Sequence, residues 1–150
     1  MSPPAGYSGT PLPKKLGIKE GARLCVVREP EGFREALGAL PDGVRVSTRL
    51  GRDADVIVAF FTRRSELERR LSKLLDALDV DGGLWIAWPK RASGVETDIG
   101  ENSLRELGLP LGLVDNKVCA IDATWSGLRL VFRRENRDAV RSHRAKAQRE

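Results

Sequence analysis

The feature that most constrains the fold is an apolar run at 54–61, followed by a leucine-rich segment and a second apolar run at 84–88. Residues 54–61 carry a single charge, Asp55, and such a continuous run is typical of a parallel strand buried on both faces. The intervening leucines fall on one helical stripe: Leu67, Leu71, Leu74, Leu75 and Leu78. Gly82-Gly83 predicts a break before the second run. Together these patterns predict a strand–helix–strand unit with parallel strands.

Seven further segments show helix or strand patterns: helices at 11–16, 33–40 and 98–108, and strands at 22–28, 44–48, 118–123 and 128–132. Ser65 and Glu68 predict a capping box at the start of the leucine-rich helix. Asp98 predicts the cap of the helix that follows it. Trp125-Ser126-Gly127 predicts the connection of a final hairpin. The pattern favours an α/β fold, a three-layer sandwich whose mostly parallel, Rossmann-like sheet ends in an antiparallel hairpin.

Composition divides the chain into three predicted parts: an extended arm at 1–10, a single α/β domain at 11–133, and a basic, partly helical or disordered tail at 134–150. Most of the net charge of +5 falls after Phe132, where seven basic residues stand against three acids. Such a tail can bind nucleic acid by neutralising phosphates. A solvated helical end is the favoured alternative, because no aromatic ring follows Phe132 to stack on bases.

Residue types that carry metal and nucleophile chemistry are scarce. Cys25 and Cys119 lie in apolar, strand-like runs, where a free cysteine packs as a small hydrophobe, and this usage predicts a reducing, cytoplasmic setting. A zinc site needs three or four Cys or His ligands at close spacing, whereas the single histidine, His143, lies in the tail. We therefore expect no metal site. We expect no signal peptide, because prolines and glycines precede Lys14 in place of a basic and then an apolar region. We expect no membrane span, because the apolar runs are too short to cross a bilayer.

The order strand, helix, Gly-Gly, strand, short helix and hairpin resembles the second half of class I methyltransferase folds. In those folds a Pro-Gly-Gly-like turn precedes the fifth strand, and Asp81-Gly82-Gly83-Leu84 stands at the corresponding place. Cofactor binding in such a topology needs a glycine-rich turn after the first strand, so that backbone amides approach the cofactor. Here that turn is Arg28-Glu29-Pro30-Glu31-Gly32, with one glycine, a proline and two acids. We therefore expect no bound cofactor.

Charged residues interrupt strand-like apolar runs between residues 85 and 128, the region that holds all three tryptophans. Seven residues of this region are candidates for binding a ligand or partner: Lys90, Thr97, Asp98, Asp115, Lys117, Asp122 and Trp125. Carboxylates beside lysines can serve acid–base chemistry if they converge at one edge of the sheet. Trp85 and Trp88 are three apart in a strand and are expected to face opposite sides. Trp125 is expected to be the most exposed ring.

Each acidic candidate also has a structural interpretation. Asp98 is explained as a helix cap. Asp115 and Lys117 lie two apart, so in a regular strand they share one face and can form an ion pair. Asp122 ends an apolar strand, where its carboxylate can accept a hydrogen bond from a turn amide. These interpretations stand beside the functional ones at every position.

Several blocks of the chain together resemble a bacterial family of unknown function, best known from actinobacteria. The blocks are Gly6-Tyr7-Ser8-Gly9-Thr10-Pro11-Leu12, Lys14-Lys15-Leu16-Gly17, Leu84-Trp85, Trp88-Pro89-Lys90, Thr97-Asp98, Gly112-Leu113-Val114-Asp115, Lys117-Val118-Cys119-Ala120-Ile121-Asp122 and Trp125-Ser126-Gly127-Leu128. They cover residues 6 to about 133 and leave the tail outside. The resemblance implies a shared fold and carries no activity.

Three functional hypotheses follow. The favoured one is a non-enzymatic binding or regulatory module for a small anionic ligand or a protein partner. The second is a small enzyme acting on an anionic substrate, with Lys90 and Lys117 positioning the anion and Asp98, Asp115 or Asp122 moving protons. The third is nucleic-acid binding through the basic tail.

Overall fold

The computed structural model describes residues 9–149, so most of the predicted arm at 1–10 lies outside the described residues. Six strands form one sheet: β1 (Arg23–Val27), β2 (Arg45–Ser47), β3 (Ala54–Phe60), β4 (Leu78–Pro89), β5 (Leu113–Ala120) and β6 (Trp125–Phe132). Their order is β2-β1-β3-β4-β6-β5. Strands β1 to β4 are parallel, whereas β6 is antiparallel to β4 and β5. The predicted α/β class, with a mostly parallel sheet and a final hairpin, is confirmed.

Helices cover both faces of this sheet: α1 (Leu12–Lys15), α2 (Phe33–Leu37), α3 (Arg64–Ala77), α4 (Glu101–Gly108) and α5 (Arg137–Arg149). Three short 3-10 turns lie at Arg91–Ser93, Leu109–Leu111 and Arg134–Asn136. Helices α3, α4 and α5 pack on one face, and α1 and α2 pack on the other. None of these helices is long and apolar enough to cross a membrane, within residues 9–149.

The leucine stripe of α3 forms the centre of the larger core. Leu67, Leu71 and Leu74 are buried against the face of the sheet that carries Ile57 and Ile86. Successive residues of a strand point to opposite faces, and the sheet is therefore buried on both sides in its central strands. The predicted helix and the two apolar strands flanking it account for this part of the structure.

The hydrophobic core on the opposite face of the sheet is smaller and is covered by α1 and α2. Leu16 and Phe33 are fully buried there, against Val58 and Trp85 of the central strands. Trp85 donates its indole N–H to the carbonyl of Leu16 at 3.0 Å. Trp88 belongs to the other core, so the two tryptophans of β4 face opposite sides, as their spacing predicts.

The predicted tail contains α5, and this helix is docked on the body of the domain. Arg144 donates from its two terminal nitrogens to the carbonyls of Leu78 at 2.7 Å and Leu75 at 2.8 Å. Arg141 binds Asp81 at 2.7 Å. Arg137 also pairs with Asp81, at 3.7 Å. Three of the tail's cations are therefore engaged by the domain, while nucleic-acid binding and the boundary at residue 134 stay predictions.

Two turn regions differ in part from the prediction. Gly82 and Gly83 lie inside β4, which spans Leu78–Pro89, but the pairing of β4 with β3 shifts between Leu78, opposite Ala54, and Gly83, opposite Val56. The predicted interruption is therefore an irregularity within one strand and not the end of a strand. The hairpin connection is formed by residues 121–124, and Trp125 already pairs with Pro89 as the first residue of β6. The position of the hairpin turn is explained by Asp122, whose Oδ1 accepts the N–H groups of Thr124 and Trp125 at 2.8 Å each. These bonds fix the turn at residues 121–124, ahead of the predicted connection at 125–127.

Candidate functional site

The carboxyl ends of β1, β3 and β4 meet at one edge of the sheet. The chain passes from β1 to β2 on one side and then crosses to β3 on the other, so the order of strands reverses between β1 and β3. In open α/β sheets the crevice at such a reversal, outside the carboxyl ends of the strands, is the usual ligand site. The residues that follow β1 and β3 therefore decide what this fold can bind there.

Arg28, the residue after β1, reaches across this crevice. Its backbone adopts a left-handed conformation with φ of 58°, and its Nε donates to the carbonyl of Phe60, the last residue of β3, at 3.1 Å. Its Nη2 forms an ion pair with Glu66 of α3 at 2.6 Å. The guanidinium carbon lies 5.1 Å from the centre of the Phe61 ring, within the range of a cation–π contact. One side chain thus joins β1, β3 and α3 across the crevice.

The turn after β1 does not fit a nucleotide-like cofactor. Glycines at this place allow the backbone amides to reach the negative groups of a cofactor, but only Gly32 is present, at the end of the turn. Glu29 is held in an ion pair with Arg34 at 2.9 Å. The helix that follows the turn, α2, has only five residues. The residues of this turn therefore do not fit a nucleotide-like cofactor.

A large cavity lies beside the crevice, at the carboxyl ends of β3 and β4. It has a volume of about 1070 Å³, comparable to the pockets that hold small organic ligands. One wall is Thr62, Arg63 and Ser65, between β3 and α3, and the other is the segment 94–100. Trp88 forms part of the lining, although only 9% of it is exposed.

Thr97 and Asp98 stabilise one wall of this cavity through hydrogen bonds from their side chains to the backbone of the opposite wall. Thr97 Oγ1 donates to the carbonyl of Thr62 at 2.7 Å. Asp98 Oδ1 accepts the backbone N–H of Arg64, the first residue of α3, at 2.7 Å. Asp98 is therefore a helix cap, but for α3 and not for the helix that follows it. These two contacts hold the segment 94–100 against the start of α3.

The predicted capping box of the leucine-rich helix is wrong. Helix α3 begins at Arg64, and Glu68 forms an ion pair with the Arg64 side chain at 3.0 Å instead of capping. The hydrogen bonds that Arg64 donates to Glu106, and then to Glu68, raise the pKa of its guanidinium. The backbone N–H of Arg64, at the start of α3, donates instead to Asp98. Asp98 is distant in the sequence and could not be identified as the cap from local spacing.

The charged groups that face the cavity are mixed in sign. Arg63 and Arg91 line it, and neither makes an ion pair with any residue among 9–149. Glu96 also lines it, without an ion pair in the same part of the chain. Neither arginine is among the candidates named from the sequence. Arg63 lies three residues after the end of β3, and Arg91 lies in the basic loop 89–94, whose composition indicates a possible anion site.

Lys90, Asp122 and Trp125 lie together where β4 meets the hairpin. The backbone N–H of Lys90 donates to the carbonyl of Thr124 at 2.7 Å, in the turn that Asp122 stabilises. The Trp125 ring packs edge-on against Phe60, with centroids 5.1 Å apart. Trp125 is half-buried beside the smaller core. Among the described residues it is nevertheless the most exposed aromatic ring, as expected, because Trp85, Trp88 and the phenylalanines are all buried.

Asp115 and Lys117 are separated by a bulge in β5. The pairing with β6 shifts between them, so that Asp115 lies opposite Leu130 and Lys117 lies opposite Arg129. An extra residue in one strand turns the residues beyond it to the other face. Asp115 accordingly pairs with Arg105 of α4 at 3.1 Å, while Lys117 donates to the carbonyl of Lys15 at 2.8 Å. The predicted ion pair between them is wrong, and the acidic candidates do not converge.

Replacing Asp98 by alanine is expected to lower the free energy of unfolding by about 1 kcal/mol, since it removes the cap of α3. Urea denaturation measures this loss as a shift of the midpoint. Ser65→Ala is the matched control, because local spacing points to Ser65 as the cap; its effect should stay within about 0.5 kcal/mol. Equal losses in both variants would contradict the assignment of the cap to Asp98.

No protein-family model and no curated protein matches the chain, and the resemblance to an actinobacterial family stays a prediction. Solved structures do match in fold. A SAM-dependent methyltransferase from Aquifex aeolicus is 17% identical with a TM-score of 0.53, over 78% of this chain and 85% of that one. A TehB-like SAM-dependent methyltransferase from Corynebacterium glutamicum is 12% identical with a TM-score of 0.51, over 76% and 82%.

A third structure, the complex of DhpI with SAH, is 11% identical with a TM-score of 0.55 and covers 80% of this chain and 81% of that one. At such identities the likeness concerns the path of the backbone alone. Together with the order of the strands, it shows that the chain has a Rossmann-like fold of the methyltransferase type.

Proposed function

We propose that this chain is a non-enzymatic binding module on a methyltransferase-like scaffold, and that the cavity beside Thr62 and Trp88 holds a small organic anion. The observation that carries the proposal is Arg28. Its side chain crosses the crevice where such folds usually bind a ligand. A space of about 370 Å³ at the turn after β1 is lined by three glutamates and one arginine, which disfavours an anion. The cavity at the ends of β3 and β4 is larger and carries two arginines.

The lining of the cavity favours a ligand with one anionic group and an apolar part. Arg63 and Arg91 are exposed cations without ion-pair partners, and a guanidinium binds a carboxylate or phosphate through paired N–H donors. Trp88 and Pro89 supply an apolar surface beside them. Glu96 disfavours a polyanion, because its carboxylate would repel a second negative group.

The groups that could perform chemistry are engaged or weakly reactive, which supports binding over catalysis. Thr97 and Asp98 bind the backbone of the chain. Burial raises the pKa of the thiols of Cys25 and Cys119, and a protonated thiol is a poor nucleophile. His143 lies on α5, at the end of the chain remote from the cavity lining.

An enzyme acting on an anionic substrate is the second candidate. The observation that favours it is the fold, since two of the structural neighbours are named as SAM-dependent methyltransferases. Lys90 and Asp122 lie at the same edge of the sheet and would be the nearest further polar groups. Turnover of a substrate, and not binding alone, separates this candidate from the first.

Titration of the ¹⁵N-labelled protein with aromatic and aliphatic carboxylates tests the proposal by nuclear magnetic resonance. We expect the indole N–H signal of Trp88 to shift while that of Trp85, buried on the opposite face, stays in place. Arg63→Gln and Arg91→Gln should each weaken binding by at least about tenfold, the usual loss for an ion-paired contact. Lys73→Gln, which removes the same charge on an exposed turn of α3, should leave binding unchanged.

SAM and SAH form a separate arm of the same titration. We expect no binding of either, because Arg28 occupies the crevice. Saturable SAM binding, or methyl transfer from SAM to any member of the panel, would overturn the non-enzymatic assignment and favour the second candidate. Carboxylate binding that is equal in Arg63→Gln, Arg91→Gln and the Lys73→Gln control would show that the ligand site is elsewhere.

A further inference from the structure

A basic groove, separate from the cavity described above, lies on the opposite face of the sheet. It has a volume of about 220 Å³ and runs between the end of α1 and the hairpin of β5 and β6. Its polar lining consists of Lys14, Lys15, Asn116, Lys117 and Arg129. No carboxylate lines it among residues 9–149, and residues 1–8 contain no acid. The groove therefore concentrates positive charge, and none of the described residues that line it is acidic.

The strand pairing brings two of these cations face to face. Lys117 of β5 lies directly opposite Arg129 of β6, and like charges at directly opposite positions destabilise a sheet. The Lys117 ammonium donates to the carbonyl of Lys15, at the end of α1, at 2.8 Å. That contact fixes Lys117 at the edge of the groove and leaves its charge uncompensated by any acid there.

Arg129 is the least satisfied of these groups. Its guanidinium is half-buried and makes no ion pair or hydrogen bond with any of the described residues. Burial, and then the charge of Arg137, lower its pKa. Removing a guanidinium from water without a partner is unfavourable. The fold nevertheless makes room for it, because Arg129 lies over Gly83, where a Cβ atom would collide with the guanidinium.

Packing of the Arg129 stem alone does not explain this arrangement. A long cationic side chain can bury its methylenes while its head reaches water, and that would account for one arginine. It does not account for Lys117 placed opposite, or for Lys14 on the same groove. Three cations from α1, β5 and β6 meet where none of the residues 9–149 supplies an anion.

We propose that Lys14, Lys117 and Arg129 bind a phosphate group, either as inorganic phosphate or as the phosphate of a small monoester. The arginine fork matches two phosphate oxygens, and the lysines add point charges from either side. The small volume of the groove suits a single phosphate rather than a polyanion. This site is independent of the proposed ligand cavity, which lies on the face that carries Trp88.

Thermal unfolding and calorimetric titration of the full chain test the site with inorganic phosphate, with glycerol 3-phosphate as a monoester, and with chloride at equal ionic strength. We expect both phosphates to raise the Tm above that in chloride, because a ligand that binds only the folded state stabilises it. Tighter binding of the monoester identifies a phosphorylated small molecule as the occupant, and equal or tighter binding of inorganic phosphate identifies the free ion.

The variants Arg129→Gln and Lys117→Gln should each bind phosphate at least about tenfold more weakly, the usual loss for a charged contact. Without phosphate, Arg129→Gln should unfold at the same or a higher temperature than the original chain, since it relieves a buried unpaired charge. Lys73→Gln serves as the control of equal charge and should bind as the original does. Equal Tm values in phosphate and chloride, or binding that survives both groove variants, would overturn the proposal.

Discussion

Replacing Trp85 by alanine is expected to lower the free energy of unfolding by about 4 kcal/mol, the usual range for truncating a large buried ring. Trp85 is fully buried in β4, a central strand of the sheet. Its indole N–H also donates to the carbonyl of Leu16, which alanine would leave without this partner. For a chain of this size the Tm should fall by roughly 10 °C or more.

Two matched variants separate the parts of this effect. Trp85→Phe keeps most of the apolar contact and removes the hydrogen bond to Leu16, so we expect a smaller loss of about 1–2 kcal/mol. Trp125→Ala removes a ring that is only half-buried and should cost less than Trp85→Ala. A loss from Trp85→Ala no larger than that from Trp125→Ala would contradict the central position of Trp85 in the smaller core.

The apolar patterns around Trp85 show which parts of the fold the sequence predicts. The apolar runs of β3 and β4 and the leucine stripe of α3 each repeat one local preference over many residues. Long patterns of this kind predict the type of an element reliably, because burial of a whole face depends on them. The opposite orientation of Trp85 and Trp88 follows from the two-residue period of a strand alone. Element type and sheet class were therefore predictable.

The site was less predictable because single residues decide it. Asp98 caps a helix that begins 34 residues earlier in the chain, and no local spacing encodes that contact. One bulge between Asp115 and Lys117 reverses the face of every residue beyond it. A bulge has no strong sequence signal here, so the strand period predicted an ion pair that the structure does not contain.

The contacts of Arg28 are another feature of the site that the sequence does not predict. The missing glycines and the acids of the turn after β1 distinguish it from a cofactor loop already in the sequence. The sequence does not show that the arginine at the head of that turn crosses the crevice to contact Phe60 and Glu66. Those partners are 32 and 38 residues away, so their meeting depends on the pairing of β1 with β3 and not on composition.

Gly82→Ala is expected to lower the free energy of unfolding by about 2 kcal/mol, whereas Gly83→Ala should change it by less than about 1 kcal/mol. A Cβ atom at Gly82 would lie 2.8 Å from the carbonyl oxygen of Asp55 and 2.9 Å from that of Ala54. Backbone atoms of a paired strand cannot move aside cheaply. At Gly83 the obstacle is the end of the Arg129 side chain, which can rotate into solvent.

The two adjacent glycines thus serve different purposes, and one pair of variants separates them. Gly82→Ala should lose stability in urea while its folded fraction still binds phosphate, because Arg129 is undisturbed. Gly83→Ala should keep its stability and bind phosphate at least about tenfold more weakly, because the displaced guanidinium no longer faces Lys117. The reverse pattern, a stable Gly82→Ala or a Gly83→Ala that binds phosphate normally, would contradict the strand packing or the position of Arg129 respectively.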